Sequence, residues 1–170
     1  MPSPVGHALG GIALGWRAVP RAQWRAALTL AAVAVAPDLD LLVGDHRGIS
    51  HSVGAAVIVG VVAAILWSAF APPALRRDTL RVALCATLAW TSHVALDWLS
   101  NDTRAPIGVM ALWPFSDGFY QSSLFLFDAI SRRYWLPQEF IWHNLRAALR
   151  ELVILAPLAH VAWRLGRVRG

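Results

Sequence analysis

Histidine and aspartate residues recur at a few points of an otherwise apolar sequence. The segment PDLDLLVGDHRGISHS, residues 37–52, contains six ionisable residues between two uncharged runs: Asp38, Asp40, Asp45, His46, Arg47 and His51. His7 precedes this segment, and HVALD later places His93 and Asp97 four residues apart. Imidazole and carboxylate ligands without cysteine suit Zn, Mn or Fe. These residue types therefore indicate metal binding.

The spacing within the motifs suggests how they could hold a metal. Residues i and i+4 lie on one face of a helix, so His93 and Asp97 could bind one ion, or Asp97 could bridge two. In an extended PDLD segment, Asp38 and Asp40 would point to the same side. Each motif also has a simpler explanation, because an i,i+4 His–Asp pair is often a hydrogen bond and Pro37 can simply end a helix. Histidine or aspartate residues recur in four segments of the chain, and this recurrence favours one shared metal site.

The apolar runs delimit the helices that must position these residues. We predict five helical segments, at about residues 5–16, 24–36, 51–71, 79–99 and 138–165, the last with a bend at Pro157. Residues 107–136 mix aromatic, glycine and polar residues, which is typical of a membrane interface. Helices that alternate in direction would bring all the histidine and aspartate motifs to the same end.

The composition favours a membrane protein. The chain has 170 residues, of which 57% are hydrophobic and 15% charged, whereas soluble domains have about 25% charged residues. Residues 52–75 have no charge and are long enough to cross about 30 Å of hydrocarbon. We predict one integral membrane domain over residues 1–170, an all-α polytopic helix bundle, because open sheet edges cannot lie in lipid. A soluble helical bundle is the alternative.

The arginines predict an orientation. All 15 basic residues are arginine, and the net charge is +5. No aromatic-basic surface suggests nucleic acid, and we expect membrane lipids as the partner. Three clusters follow alternate segments: Arg17, Arg21, Arg25; Arg76, Arg77, Arg81; Arg164, Arg167, Arg169. The positive-inside rule makes them cytoplasmic in a multi-pass protein of the bacterial inner membrane, with the metal site on the other side. Four arginines count against this orientation: Arg104, Arg132, Arg133 and Arg146.

The single Cys85 lies in an apolar run and is expected to be a buried thiol.

The order of the motifs resembles a known family. HALGG at 7–11, PDLD, HRGISHS at 46–52, HVALD and WPF at 113–115 resemble the membrane-bound metal-dependent hydrolase family of the LexA-regulated YdjM type. That family is similar in ligand pattern to the zinc-dependent phospholipase C and nuclease superfamily, an all-helical group of phosphoesterases. The resemblance implies two metals, with these residues as ligands: His7, Asp40 or Asp38, His51, His93 and Asp97. The superfamily's third metal has no clean counterpart here, since Glu139 and His143 are spaced i,i+4 in a different context.

The resemblance also implies roles. Two divalent ions about 3.5–4 Å apart can lower the pKa of a shared water and hold a phosphoryl oxygen. We expect Asp97 to bridge them, with His51, His93 and a PDLD aspartate on one ion and His7 on the other.

The candidate catalytic residues are Asp38, His46 and Arg47. His46 is either a further ligand, in a candidate metal set of His7, Asp38, Asp40, His46, His51, His93 and Asp97, or a proton shuttle. Arg47 suits a phosphate oxygen, or it pairs with Asp45. Residues 113–115 are expected to pack at the mouth of the site. Asp117 and Asp128 either orient histidines or lie at the surface.

The predicted function is therefore a metal-dependent hydrolase, a phosphoesterase with two Zn ions, or Mn or Fe, that acts on a lipid-linked or amphiphilic phosphoester. Apolar residues near the site, Leu41, Leu42, Val43 and residues 119–127, could hold its chains. Arg47, Arg104, Arg132 and Arg133 could hold its anionic head group. The alternative is a membrane metal-binding protein or metal-ion transporter. A transporter needs polar groups through the bilayer, but between residues 53 and 71 the sequence offers only Ser68.

Overall fold

A computed structural model of the chain describes residues 1–18, 23–42, 44 and 46–167. Four residues used in the predictions, Arg21, Val43, Asp45 and Arg169, lie outside this part, as do the side chains of Arg17 and Arg167. The described chain is mostly helical, with α1 Pro4–Ala18, α2 Gln23–Val35, α3 Val53–Phe70, α4 Thr79–Trp98 and α5 Pro137–Arg167. The five predicted helical segments are confirmed to within a few residues, and α5 continues through Pro157.

Short elements connect the helices. Tight 3₁₀ turns cover Ala36–Leu42, Ile49–His51 and Pro73–Asp78, and the short strand β1 Ser100–Asn101 pairs in parallel with β2 Phe127–Asp128. The first turn overturns one prediction, because PDLD is helical and not extended. With about three residues per turn, side chains two residues apart diverge by about 120°. Asp38 and Asp40 therefore face different surroundings.

Helix α1 is central and packs on α2, α4 and α5, whereas α3 packs on α4. Gly11 and Gly15, spaced i,i+4, face α2 at close range. A Cβ at Gly11 would collide with the backbone of Leu30 and Ala31, and one at Gly15 with the backbone of Ala27. Small residues at this spacing are what lets two helix backbones approach so closely. The contact fixes the second half of α1 relative to α2.

Two helices among the described residues are long and apolar enough to cross a membrane, Val53–Phe70 and Pro73–Trp98, the second including the preceding turn. The 18 residues of α3 rise about 27 Å, close to the thickness of a hydrocarbon core. Its outer side chains are about half exposed: Val57, Ile58, Val61, Val62, Ile65 and Leu66. A continuous apolar surface of this kind is unusual on a soluble monomer and suits lipid.

An apolar core lies between α2 and α4. It contains Leu30, Ala34, Cys85, Ala86 and Ala89, and Ala34 and Ala89 are fully buried. Cys85 is a free, buried thiol, as predicted. This core ends directly below the histidine of HVALD, which lies one turn beyond Ala89, and so separates that end of the bundle from the rest.

Candidate metal centre

Four elements bring histidine and aspartate side chains together at one end of the bundle, in a cluster made up of His7, Asp38, His51, His93 and Asp97. His7 comes from the first turns of α1, Asp38 from the 3₁₀ turn after α2, and His51 from the turn before α3. His93 and Asp97 come from the last two turns of α4. The three histidines are fully buried, and Asp97 is 2% exposed. Ionisable groups so far from solvent are costly unless they are paired or bind a metal.

Two imidazole nitrogens lie at distances from each other and from two carboxylate oxygens that are close to those of a tetrahedral ligand set. The Nε2 atoms of His51 and His93 lie 3.0 Å apart, and each is 3.3 Å from Asp97 Oδ2 and 3.7 Å from Asp38 Oδ1. Tetrahedral zinc with bonds of about 2.0–2.1 Å places neighbouring ligand atoms about 3.3–3.4 Å apart. The residues therefore fit a divalent cation of this size.

Asp97 also faces a third imidazole. Its Oδ1 atom lies 3.4 Å from His7 Nε2, and the ring of His7 stacks on that of His93 at 3.7 Å between centroids. Five buried atoms lack a hydrogen-bond partner among the described residues: His7 Nδ1, His7 Nε2, Asp38 Oδ1 and both carboxylate oxygens of Asp97. Buried polar atoms are nearly always satisfied, and all but one of these face the cluster. Carboxylate oxygens turned towards imidazoles on two sides fit an aspartate that bridges two cations.

The outer ring nitrogens of two histidines are held by fixed acceptors. Asp40 lies behind the cluster, 3.0 Å from His51 Nδ1, and it also accepts from Ser50 Oγ at 2.7 Å and from the backbone amide of Arg47 at 3.1 Å. His93 Nδ1 donates to the carbonyl of Ala34 at 2.7 Å. Because each Nδ1 is a donor, each Nε2 faces the cluster and can offer a lone pair to a metal once it carries no proton, the arrangement typical of metal-binding histidines. Of the two PDLD aspartates, Asp38 faces the cluster and Asp40 orients His51.

The carboxylates around His51 favour a positive charge in the cluster. Burial opposes protonation of His51, but the neighbouring carboxylates of Asp38, Asp40 and Asp97 outweigh burial and raise the pKa of His51 to about 11. Burial also opposes ionisation of Asp40, yet hydrogen bonds from His51 and His46 hold its pKa below the ordinary value. A metal cation would bind through the same lone pair of His51 Nε2 that holds this proton. Metal binding would therefore release the proton.

His46 lies on the outer side of Asp40. Its Nδ1 donates to Asp40 at 2.7 Å, and its Nε2 faces Met1 Sδ at 2.6 Å and Arg132 Nη2 at 3.4 Å. Burial lowers the pKa of His46. Its ligand atoms group with those of Asp40 and His51, and not with the central atoms. His46 therefore stands between the cluster and the surface near Arg132.

Arg47 holds a neighbouring loop. Its Nη1 pairs with Asp102 and donates to the carbonyls of Arg104 and Pro106 at 3.3 and 3.2 Å. Its φ of 71° lies in the left-handed region that non-glycine residues seldom adopt. Its partner here is thus Asp102, which the sequence does not suggest, and the predicted alternative partner Asp45 lies outside the described residues.

Other predicted site residues lie apart from the cluster. Trp113 packs at Gly54, at the start of α3, but Phe115 is 90% exposed, so packing at the site mouth is wrong for Phe115. Asp128 pairs with Arg150 at 3.0 Å and not with a histidine. The remaining polar candidates have other surroundings: Asp117 is exposed, Glu139 pairs with Arg133, and His143 donates to the carbonyl of Ala129. Among the predicted chain-holding residues, Leu41 and Leu42 are exposed, and Phe127 is buried in the core.

The sequence interpretation missed Glu151. This fully buried carboxylate of α5 accepts from the backbone amide of Ser3 at 2.7 Å and from the Ser3 hydroxyl, and it thereby holds the start of the chain on the bundle. A signal was present, since Glu151 occupies a buried i,i+4 stripe whose other members are Ala147, Leu155 and Ala159. A charge in such a stripe needs a partner.

The described residues define a helical protein in which two apolar helices have membrane-spanning length and a buried histidine and aspartate cluster could hold a metal. A family model described as YdjM inner membrane protein matches residues 1–167. The chain belongs to the YdjM inner membrane protein family, which confirms the YdjM part of the resemblance and the association with the inner membrane. No curated protein and no solved structure matches it.

Proposed function

We propose that this protein is a membrane-embedded, metal-dependent hydrolase, a phosphoesterase that acts on a lipid-linked or amphiphilic phosphoester at the membrane interface. The observation that supports it most is the buried histidine and aspartate cluster contributed by four elements, in which five side-chain atoms of His7, Asp38 and Asp97 lack hydrogen-bond partners among the described residues. A purely structural subunit would leave the cost of burying them unexplained.

Two divalent cations fit the donor set, with Zn preferred and Mn or Fe as alternatives. Asp38, His51, His93 and Asp97 would hold one, and His7 with the other oxygen of Asp97 would contribute to the second. When bound, such a pair supplies an activated water and polarises a phosphoryl oxygen. The chain itself keeps the imidazoles in register through Asp40 and the Ala34 carbonyl, and its buried alanine core excludes water from below.

The position of the cluster suits a substrate that approaches from the leaflet. His51 lies two residues before α3, and Asp97 lies at the end of α4, so the cluster is at the head-group level if these helices cross the membrane. Arg76, Arg77 and Arg81 lie at the opposite ends of the same helices, which favours a multi-pass arrangement with the cluster on the non-cytoplasmic side.

The transporter alternative has less support. The single hydroxyl in α3, that of Ser68, is exposed and donates to the carbonyl of Ile65, so it forms no link towards the cluster. A row of polar groups across the bilayer is what a transport path would need.

The metal content is the first test. Purified protein in detergent is expected to hold about two Zn, Mn or Fe ions per chain, because the central residues offer more ligand atoms than one tetrahedral ion takes. Asp97→Ala should lose both ions. His160→Ala is the matched control, since this exposed histidine of α5 lies outside the cluster. Unchanged metal content in Asp97→Ala would exclude the bridging role.

Activity is the second test. Phospholipids and polyprenyl phosphates are assayed in mixed micelles beside a soluble aryl phosphodiester. Metal-dependent turnover of the lipids that is lost in His93→Ala and kept in His160→Ala would support the proposal. Turnover of the soluble ester alone would exclude the lipid substrate. No turnover by fully metallated protein would exclude the hydrolase and favour a metal-binding protein or transporter.

A further inference from the structure

A cavity of about 480 Å³ lies next to the cluster. Its wall is built from the start of the chain at Met1, residues 44, 46 and 47, residues 101–106, residues 128–133 and the first turns of α5. Ligand sites for small molecules commonly have volumes of about 300–1,000 Å³. The cavity is therefore large enough for a head group and much larger than a single phosphate ion.

The charges of the wall leave two guanidinium groups free of carboxylates. Three acidic residues line the cavity, and each has an arginine partner: Asp102 pairs with Arg47, Glu139 with Arg133, and Asp128 with Arg150. Arg104 and Arg132 also line the cavity, and no carboxylate among the described residues pairs with either side chain. The surplus charge of the wall is positive.

Arg132 has two neutral acceptors near one of its guanidinium nitrogens among the described residues. Its Nη2 lies 3.5 Å from Met1 Sδ and 3.4 Å from His46 Nε2, and a thioether is a poor acceptor. Several guanidinium donors therefore remain available to an oxygen anion, which arginine binds through two parallel hydrogen bonds.

The cavity is separated from the cluster by one hydrogen-bonded chain. His46 lines the cavity and donates to Asp40, and Asp40 accepts from His51, whose ring lies 5.1 Å from that of His46 between centroids. A group bound in the cavity would lie beside His46, on the open side of the candidate metal site.

We propose that this cavity binds the anionic, phosphate-bearing head group of an amphiphile, with Arg104 and Arg132 as its principal charged contacts. The inference rests on the proposed function for the fate of the ligand, because the bound head group would present its ester to the neighbouring cluster. The binding itself needs only the cavity.

Binding is measured on the metal-loaded full-length protein in a neutral detergent. The probe is a dihexanoyl glycerol phosphonate, which cannot be hydrolysed at the phosphorus–carbon bond, and inorganic phosphate and dihexanoyl glycerol are compared with it. We expect the phosphonate to bind, and Arg104→Gln and Arg132→Gln each to weaken it about tenfold through loss of a charge-assisted hydrogen bond. Arg132→Lys should recover part of the loss. Arg77→Gln, which removes the same charge at the other end of the bundle, should bind as the wild type does.

Each departure has a distinct meaning. Equal losses in Arg77→Gln would show attraction to overall charge and overturn the cavity. Undiminished binding in both cavity variants would also overturn it, even if the wild type hydrolyses lipids. Inorganic phosphate that binds as tightly as the phosphonate would exclude the amphiphile as the ligand. Arginine-dependent binding without any turnover would uphold the cavity and remove the hydrolase proposal alone. Both substituted arginines are exposed, and thermal unfolding of each variant checks its fold.

Discussion

The two aspartates of PDLD provide a sharp test of the site, because they are two residues apart and have different surroundings. Asp38 Oδ1 lies 3.7 Å from two imidazole nitrogens of the cluster, whereas Asp40 accepts hydrogen bonds from His46, Ser50 and the outer nitrogen of His51. Asp38→Asn and Asp40→Asn make the same chemical change. They should weaken metal binding to different degrees and in different ways.

Loss of an outer carboxylate that orients a histidine weakens a metal site about 10–100-fold, which corresponds to about 1.4–2.7 kcal/mol. We expect this for Asp40→Asn, with unchanged stoichiometry. A structural zinc site is worth about 10–16 kcal/mol, so one of four ligands carries about 2.5–4 kcal/mol. We therefore expect a loss of about a hundredfold or more for Asp38→Asn, with one ion fewer per chain.

The assay is zinc titration in detergent against a chromophoric chelator, with circular dichroism as the control for folding. A folded Asp40→Asn that binds more weakly than Asp38→Asn would reverse the assignment of the two carboxylates. Unchanged affinity in both variants would mean that the metal binds elsewhere.

Three further predictions concern the fold and its orientation. Gly11→Ala should lower the free energy of unfolding by about 1–3 kcal/mol and reduce metal content, because the new Cβ meets the backbone of α2 below His7; stability equal to wild type would contradict the close contact. Asp102→Ala should destabilise by about 3–5 kcal/mol, against less than about 1 kcal/mol for Asp128→Ala, whose carboxylate is 41% exposed, as chemical denaturation would show; similar losses would contradict a buried pair with Arg47. In a Cys85→Ser background, Leu42→Cys should react with impermeant thiol reagents from the periplasmic side and Arg77→Cys from the cytoplasm; the reverse pattern would invert the proposed orientation.

Much of this architecture follows from local patterns in the sequence. The apolar runs that end at Pro37 and at the Pro72–Pro73 pair delimit α2 and α3, because proline cannot continue a helix interior. The i,i+4 spacing of His93 and Asp97 needs nothing beyond a helix to place both on one face.

Other features depend on geometry that local patterns do not encode. PDLD reads equally as an extended segment or as a turn, and only the 3₁₀ turn separates the surroundings of Asp38 from those of Asp40. The pair of Arg47 and Asp102 joins residues 55 positions apart. The close contact of α1 and α2 requires knowing which face Gly11 and Gly15 present. Such contacts are set by tertiary packing, which a single sequence does not reveal.

The hydrogen bond from His93 to the carbonyl of Ala34 affects which substitutions the site can tolerate. The carbonyl of Ala34 is near the end of α2, where helix carbonyls have no partner within their own helix. It therefore serves as an acceptor without any polar side chain, and no substitution at position 34 removes the oxygen itself. His51 depends on Asp40, which a single base change can abolish. In a saturation mutagenesis screen, position 40 should tolerate few residues for chemical reasons, whereas position 34, fully buried, should reject residues by size. The acceptor that orients His51 therefore depends on the side chain encoded at position 40, whereas the acceptor that orients His93 depends only on the backbone of the fold.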